Sequence, residues 1–109
     1  MVDKVDGAAS AMILGADGIP VEEYSSRKFL TMEDLGAESS QMIKDINLAS
    51  ENLGIGTARE FALVSDACGI IMRRINPEYY LAMIIEPDGN YGKARFVLKT
   101  YLARIEDEF

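Results

Sequence analysis

The chain has 109 residues, a length that suits one domain, and its hydrophobic share of 49% and charged share of 27% are ordinary for a globular protein. Acidic residues outnumber basic residues by 18 to 11, and the net charge of -7 repels phosphate backbones and anionic lipids, so we expect no nucleic-acid and no membrane partner. One cysteine and no histidine leave no intramolecular disulfide, no usual general base and no usual metal ligand, so we expect a cytoplasmic protein without catalytic activity or cofactor.

The start of the chain predicts a β-hairpin. An apolar run over residues 8–14 is followed by a turn cluster that contains Asp17 and Gly18, and Asp-Gly between two short runs is a strong hairpin signal. Residues 21–24 can then return as a second strand.

A long amphipathic helix is expected next. Thr31 suits the N-cap position, and Leu30 and Leu35 occupy the two positions of a hydrophobic staple. The helix should end near Leu53, where Gly54 can adopt the left-handed conformation that follows many helices. At about 100° per residue, the core stripe of this helix comprises Leu35, Ser39, Met42, Ile46, Ala49 and Leu53, with Ile43 at its margin.

Three strands and a second helix complete the pattern. The sequence predicts three strands that are separated by short turn sequences, at residues 59–65, 69–75 and 79–85. A final helix is expected from about Tyr91 to Asp107, so the element order is β-β-α-β-β-β-α. The core stripe of the final helix comprises Ala94, Val97, Leu98, Tyr101, Leu102 and Ile105. Leu48 and Phe96 are large apolar residues that lie off the core stripes of the two helices.

Two of the predicted strands, residues 11–14 and 79–85, are apolar without alternation. A strand with one face in water should alternate, so these two strands should be buried on both faces. One long helix is available for each face. The sequence therefore predicts an α/β (α+β) fold, a three-layer α/β/α sandwich around a five-stranded, mainly antiparallel sheet.

Two glycine-rich segments are similar to cofactor-binding loops but lack their chemistry. Residues 54–59 begin like a dinucleotide-binding fingerprint, yet they follow a helix, and Arg59 replaces the third glycine. Residues 89–93 are too closely spaced for a phosphate-binding loop, and Ala94 replaces the hydroxyl that binds magnesium. We interpret both segments as turns.

The hairpin sequence at residues 11–21, with its Asp-Gly-Ile-Pro turn, resembles the hairpin signature of the Roadblock/dynein light chain family. Residues 79–95 resemble the last strand, turn and closing helix of that family. Among bacterial members of the family, the chain resembles the gliding-motility regulators typified by MglB. The resemblance implies a profilin-like fold and one Roadblock-type domain over residues 1–109. The family normally opens with a helix, and because residues 1–6 alone precede the first strand, we expect this helix to be short or absent.

The resemblance also implies a homodimer, with pairing to a paralogue as the alternative. In the family the third strand pairs with its own copy across a two-fold axis, and the long middle helices lie side by side. The pairing strand would comprise Ala58, Arg59, Glu60, Phe61, Ala62, Leu63, Val64 and Ser65. Small residues that would let the helices approach are Gly36, Ala37, Ser39 and Ser40. Glu60 could face Arg59 of the other copy, and the interface should bury roughly 1,200 to 2,000 Å².

The family relationship implies a regulator or scaffold of a small Ras-like GTPase, which shifts the switch loops of the GTPase without performing the hydrolysis itself. The expected partner contact is the exposed side of the middle helix, at Gln41, Lys44, Asp45 and Leu48. The alternative is a structural adaptor subunit, similar to a dynein light chain, without GTPase contact. A small-ligand sensor would need a polar cavity, which the apolar central strands do not favour.

Overall fold

The structure is a computed structural model that describes residues 8–25, 32–86 and 89–105. Within these ranges the elements follow the predicted order. Their bounds are β1 Ala8–Gly15, β2 Pro20–Ser25, α1 Met32–Leu53, β3 Glu60–Val64, β4 Gly69–Asn76, β5 Tyr79–Ile85 and α2 Tyr91–Ile105. The predicted helix-start residues Leu30 and Thr31, the segment 1–6 and the predicted helix end at Asp107 lie outside the described residues.

The strands form one antiparallel sheet in the order β2-β1-β5-β4-β3. β1 and β5 pair along their whole length at the centre of the sheet, from Ala8 opposite Ile85 to Gly15 opposite Tyr79. α1 packs on one face of the sheet and α2 packs on the other. The predicted three-layer α/β/α fold is therefore confirmed.

Two apolar cores flank the sheet because alternate residues of its strands point to opposite faces. The core on the α2 side contains Ala11, Ile13, Ile71, Ile75, Leu81, Met83, Ile85, Ala94, Val97 and Leu98. The core on the α1 side contains Met12, Leu14, Leu35, Ile43, Ile70, Met72, Tyr80, Ala82 and Ile84. β1 and β5 thus contribute to both cores, as their unbroken apolar runs predicted.

The row of residues that α1 buries is rotated about the helix axis relative to the predicted core stripe. The residues that this helix buries are Leu35, Gly36, Ser39, Ile43 and Ser50. The predicted core residues that are half-buried or exposed instead are Met42, Ile46, Ala49 and Leu53. The predicted stripe follows mainly the apolar side chains, whereas the buried stripe also contains Gly36 and Ser50, which the prediction does not include. Ile43, expected at the margin, therefore lies near the middle of the buried stripe.

α1 ends at Leu53, as predicted. The N–H of Gly54 donates to the carbonyl oxygen of Glu51 at 3.0 Å, and the N–H of Ile55 donates to that of Ser50 at 3.2 Å. With Gly54 at a φ of 68°, these bonds form a Schellman motif. The hydroxyl of Ser50 also donates to the carbonyl oxygen of Gly56, which holds the following loop to the helix end. Neither helix in the described part of the chain is long and apolar enough to cross a membrane.

Candidate functional site

The sheet ends in β2 on one side and β3 on the other, and the two edges differ in how well they are protected. β2 begins at Pro20 and carries the exposed Glu22, and its register with β1 shifts between Ile13 and Leu14. Proline, charge and an irregular register all hinder the pairing of another strand. β3 contains no proline, and its register with β4 is regular throughout. β3 is therefore the edge better suited to pairing.

Backbone hydrogen bonds identify the residues of β3 that face the open edge. The carbonyl oxygen of Arg59 accepts from the N–H of Arg74 at 2.9 Å, and the N–H of Ser65 donates to the carbonyl oxygen of Cys68 at 2.9 Å. Because the backbone groups of an antiparallel strand alternate between its two sides, the odd-numbered residues from 59 to 65 bond to β4. The residues whose N–H and C=O point outward are Glu60, Ala62 and Val64. Among the described residues no strand pairs with this edge.

Glu60 is the charged residue of β3, and its charge is neutralised within the protomer. Its Oε2 accepts from Nε of Arg95 at 3.1 Å, and its Oε1 lies 3.6 Å from Nη1 of Arg73. These contacts place Glu60 on the α2 face of the sheet, whereas Arg59 pairs with Arg74 on the α1 face. Directly opposed residues of an antiparallel pair share a face. This corrects the expectation that Glu60 faces Arg59 of another copy.

The other side chains of β3 form an apolar surface. Leu63 is 49% exposed, Val64 is 64% exposed, and Ala62 is exposed as well. Phe61 is half-buried and packs against the core on the α1 side. An exposed apolar strand with free backbone groups is a template for pairing with another chain. The structure thus gives β3 both properties that an interface strand needs.

A groove of about 300 Å³ lies between α1 and β3. Its lining comprises Asp34, Leu35, Glu38, Met42, Leu63 and Ile70. Four of these residues are apolar, and the other two, Asp34 and Glu38, are exposed acidic residues. The sequence interpretation missed this groove because it assigned the neighbouring flank of α1, including Met42, to the core.

The residues predicted to contact a partner share the outward side of α1, opposite the side that packs on the sheet. They are Gln41, Lys44, Asp45 and Leu48, and all are exposed. Nε2 of Gln41 donates to Oδ1 of Asp45 at 3.0 Å, as residues four apart on a helix can. Leu48 is 56% exposed, so it adds an apolar side chain to this polar surface.

The small residues expected between paired helices mostly serve packing inside the protomer. Gly36 is buried against Gly18 of the β1–β2 turn, and Ser40 lies beside the same glycine. Ser39 is fully buried. Ala37 is exposed.

No protein-family model and no curated protein matches the sequence. Among solved structures, MglC from Myxococcus xanthus has 29% sequence identity over 99% of this chain and 92% of its own, with a TM-score of 0.70. A Roadblock/LC7 domain from Streptomyces avermitilis has a TM-score of 0.88 at 15% identity, over 98% of this chain and 89% of that one. The gliding protein MglB from Thermus thermophilus has a TM-score of 0.85 at 17% identity, over 99% of this chain and 84% of that one. The chain has the Roadblock fold.

The Roadblock resemblance predicted from the hairpin and the closing helix is thereby confirmed, and so is the profilin-like architecture. Profilin II from Acanthamoeba castellanii matches with a TM-score of 0.63 at 18% identity. The matches below 20% identity establish the fold alone. MglC adds a similarity in sequence that extends along nearly the whole of both chains.

A second groove, of about 550 Å³, lies between the end of α1, the loop before β3 and the β4–β5 turn. Its lining comprises Asn47, Glu51, Gly54, Gly56, Thr57, Ala58, Arg74 and Pro77. These residues come from three separate segments, so no local motif indicates the groove. Within residues 8–25, 32–86 and 89–105, no three acidic or cysteine side chains cluster as metal ligands would.

Proposed function

We propose that residues 1–109 form one cytoplasmic Roadblock-type domain that acts as a dimeric, non-catalytic regulator or scaffold of a small Ras-like GTPase. The proposal includes pairing of β3 with a second copy and a GTPase contact on the outward side of α1. The likeness to MglC and to the gliding protein MglB supports it. The single observation that carries the dimer at its centre is the apolar edge of β3, with which no strand pairs among the described residues.

The side chains of β3 alternate between the two faces of the sheet, and this alternation restricts how two copies can pair. When a two-fold axis perpendicular to the sheet relates the two copies, the residue numbers of every pair of opposed residues add up to the same total. Opposed residues must lie on the same face, and even-numbered and odd-numbered residues of β3 lie on different faces. The total is therefore even. A register centred on Ala62 satisfies every outward N–H and C=O of β3 within the paired strands. Registers shifted by two residues place one end of β3 opposite residues outside the strand. We therefore assign Ala62 to the two-fold axis.

This register also matches the side chains of the strand. On the α1 face, Leu63 lies opposite Phe61 of the second copy, and an aromatic–aliphatic pair of this kind stabilises a sheet. On the α2 face, Ala62 lies beside its own counterpart, where its small side chain fits. The pairing covers part of the exposed apolar surface of Leu63 and Val64, which favours association.

Ala62→Pro tests the dimer. The N–H of Ala62 points away from β4, so proline removes a hydrogen bond to the second copy while the β3–β4 bonds remain. We expect light scattering at micromolar concentration to give a dimer for the wild type and a monomer for Ala62→Pro, with equal circular dichroism. Ala62→Ser keeps the N–H and a small side chain, and it should stay dimeric. A monomeric wild type would disprove the pairing of β3.

Leu48→Ser tests the GTPase contact against Phe96→Ser, its matched control on α2. Both side chains are large, apolar and exposed, at 56% and 70%. We expect the protein to bind a small Ras-like GTPase of its own organism and to change its rate of GTP hydrolysis. Leu48→Ser should weaken this binding, and Phe96→Ser should not.

The alternative is a structural adaptor without GTPase contact. If the purified dimer neither binds these GTPases nor changes their hydrolysis rates, the GTPase part of the proposal is wrong. Affinity capture with the wild type and with Leu48→Ser would then identify the proteins that depend on the outward side of α1.

A further inference from the structure

The groove between α1 and β3 has the chemistry of an arginine-binding site. Its lining is apolar at Met42, Leu63 and Ile70, and the exposed Glu38 adds a carboxylate. An arginine side chain places its aliphatic stem on apolar surface and its guanidinium beside carboxylates. Lysine suits such a site less well, because its ammonium is a compact and strongly hydrated charge.

The register proposed for the dimer, on which this inference rests, brings one arginine to the groove. With Ala62 on the two-fold axis, Arg59 of the second copy lies opposite Ser65 and diagonal to Leu63. Arg59 lies on the α1 face, which is the face that carries the groove. Diagonal neighbours across a strand pair are about 7 to 8 Å apart, which an arginine side chain spans.

We propose that the groove binds the side chain of Arg59 from a second copy, with its guanidinium beside Glu38. The two-fold axis repeats the contact in the opposite direction, so each copy provides one groove and one arginine. Arg59 is exposed and makes no ion pair with the described residues of its own protomer. Glu60 is not available to it, because Arg73 and Arg95 already bind that carboxylate.

The contact also explains how two acidic chains can meet at this edge. Each copy has a net charge of -7, so association brings together two bodies that repel each other at long range. A reciprocal pair of opposite charges at the strand edge opposes this repulsion locally. It also favours the antiparallel register in which Arg59 reaches Glu38, over registers in which it does not.

Charge reversal in two separate variants tests the contact. Arg59→Glu places two negative charges at both grooves of its homodimer, and Glu38→Arg places two positive charges there. Each variant should weaken its homodimer about tenfold, since every dimer contains the contact twice. Both residues are exposed, so the fold should be unchanged by circular dichroism.

Mixing the two variants provides the decisive measurement. In the mixed dimer both grooves hold opposite charges, because each copy carries the charge that the other one needs. Native mass spectrometry should find the mixed dimer well above the half expected from random exchange, and added salt should reduce this excess. Lys99→Glu, which reverses an exposed charge on α2, should exchange with the wild type at random.

Random exchange between Arg59→Glu and Glu38→Arg would overturn the assignment of Arg59 to the groove. If Ala62→Pro still dissociates the dimer in that case, the proposed pairing of β3 stands and the arginine assignment alone is wrong. If Ala62→Pro leaves the dimer intact, the proposed pairing itself is wrong. The two failures are thus distinguishable.

Discussion

Gly36 of α1 lies against Gly18 of the β1–β2 turn, backbone to backbone. A Cβ on Gly18 would lie 2.6 Å from the carbonyl oxygen of Gly36, and a Cβ on Gly36 would overlap the carbonyl oxygen of Gly18. Gly18 also has a φ of 89°, a conformation that favours glycine. Oδ1 of Asp17 accepts from the N–H of Ile19 at 3.0 Å, which closes the turn. The Asp-Gly turn therefore both joins the hairpin strands and contacts α1 at Gly36.

Gly36→Ala should lower the free energy of unfolding by about 1 to 2 kcal/mol. The added methyl group overpacks the contact with Gly18, and this outweighs the gain in helix propensity, which is about 1 kcal/mol. Gly92→Ala is the matched control in α2, because a Cβ there meets Oδ1 of Asn90 at an ordinary 3.6 Å. Urea unfolding should find no loss for Gly92→Ala. Equal effects of the two substitutions would contradict the close contact.

Glu60→Gln should lower the free energy of unfolding by about 1 kcal/mol. It removes the charge that joins β3 to Arg73 of β4 and to Arg95 of α2, while it keeps the shape of the side chain. The Arg95 pair contributes little, because the side chain of Arg95 is 47% exposed and the pair is therefore screened by solvent. Glu78→Gln in the β4–β5 turn is the exposed control and should leave unfolding unchanged. A difference that persists undiminished at high salt would argue against an electrostatic cause.

The sequence was sufficient to predict the layers and the element order, since these depend on strong and local patterns. Residues 79–85 form an unbroken apolar run, and the strand β5 has those bounds. Gly54 marks the end of α1, and it takes the positive φ that this role requires. The Asp-Gly turn specifies the hairpin in the same local way.

The rotation of α1 and the groove beside β3 were not predictable in the same way. The apolar residues of α1 cover a wide arc of the helix surface, from Ile43 to Ala49, and the sheet can cover only part of this arc. Periodicity alone therefore does not show which part of the arc is buried. Gly36 and Ser50 lie on the buried stripe although neither has an apolar side chain that periodicity could detect. Glu38 and Leu63 line one groove only because the chain folds, and no sequence spacing indicates this.

Ser39→Ala should raise the free energy of unfolding by about 1 kcal/mol. The Oγ of Ser39 is buried and has no hydrogen-bond partner among the described residues, so its removal relieves a desolvation cost. Ser50→Ala is the matched comparison on the same helix, and it should lower stability by about 1 kcal/mol because Ser50 donates to the carbonyl oxygen of Gly56. Thermal or urea unfolding of both variants provides the test. Two changes of the same sign would contradict the different roles assigned to these hydroxyls.

Ala62→Cys, in a Cys68→Ala background, should yield a covalent dimer on mild oxidation. In the proposed register the two copies of residue 62 form a hydrogen-bonded pair with Cα atoms about 5.5 Å apart, which a disulfide can span. Leu63→Cys in the same background is the control, because its counterpart lies two residues further along the strand and out of reach. Non-reducing electrophoresis should give a dimer band that reductant removes for residue 62 and no such band for residue 63. Cross-linking at residue 63 without cross-linking at residue 62 would place the two-fold axis elsewhere on β3, and Arg59 would then no longer reach Glu38.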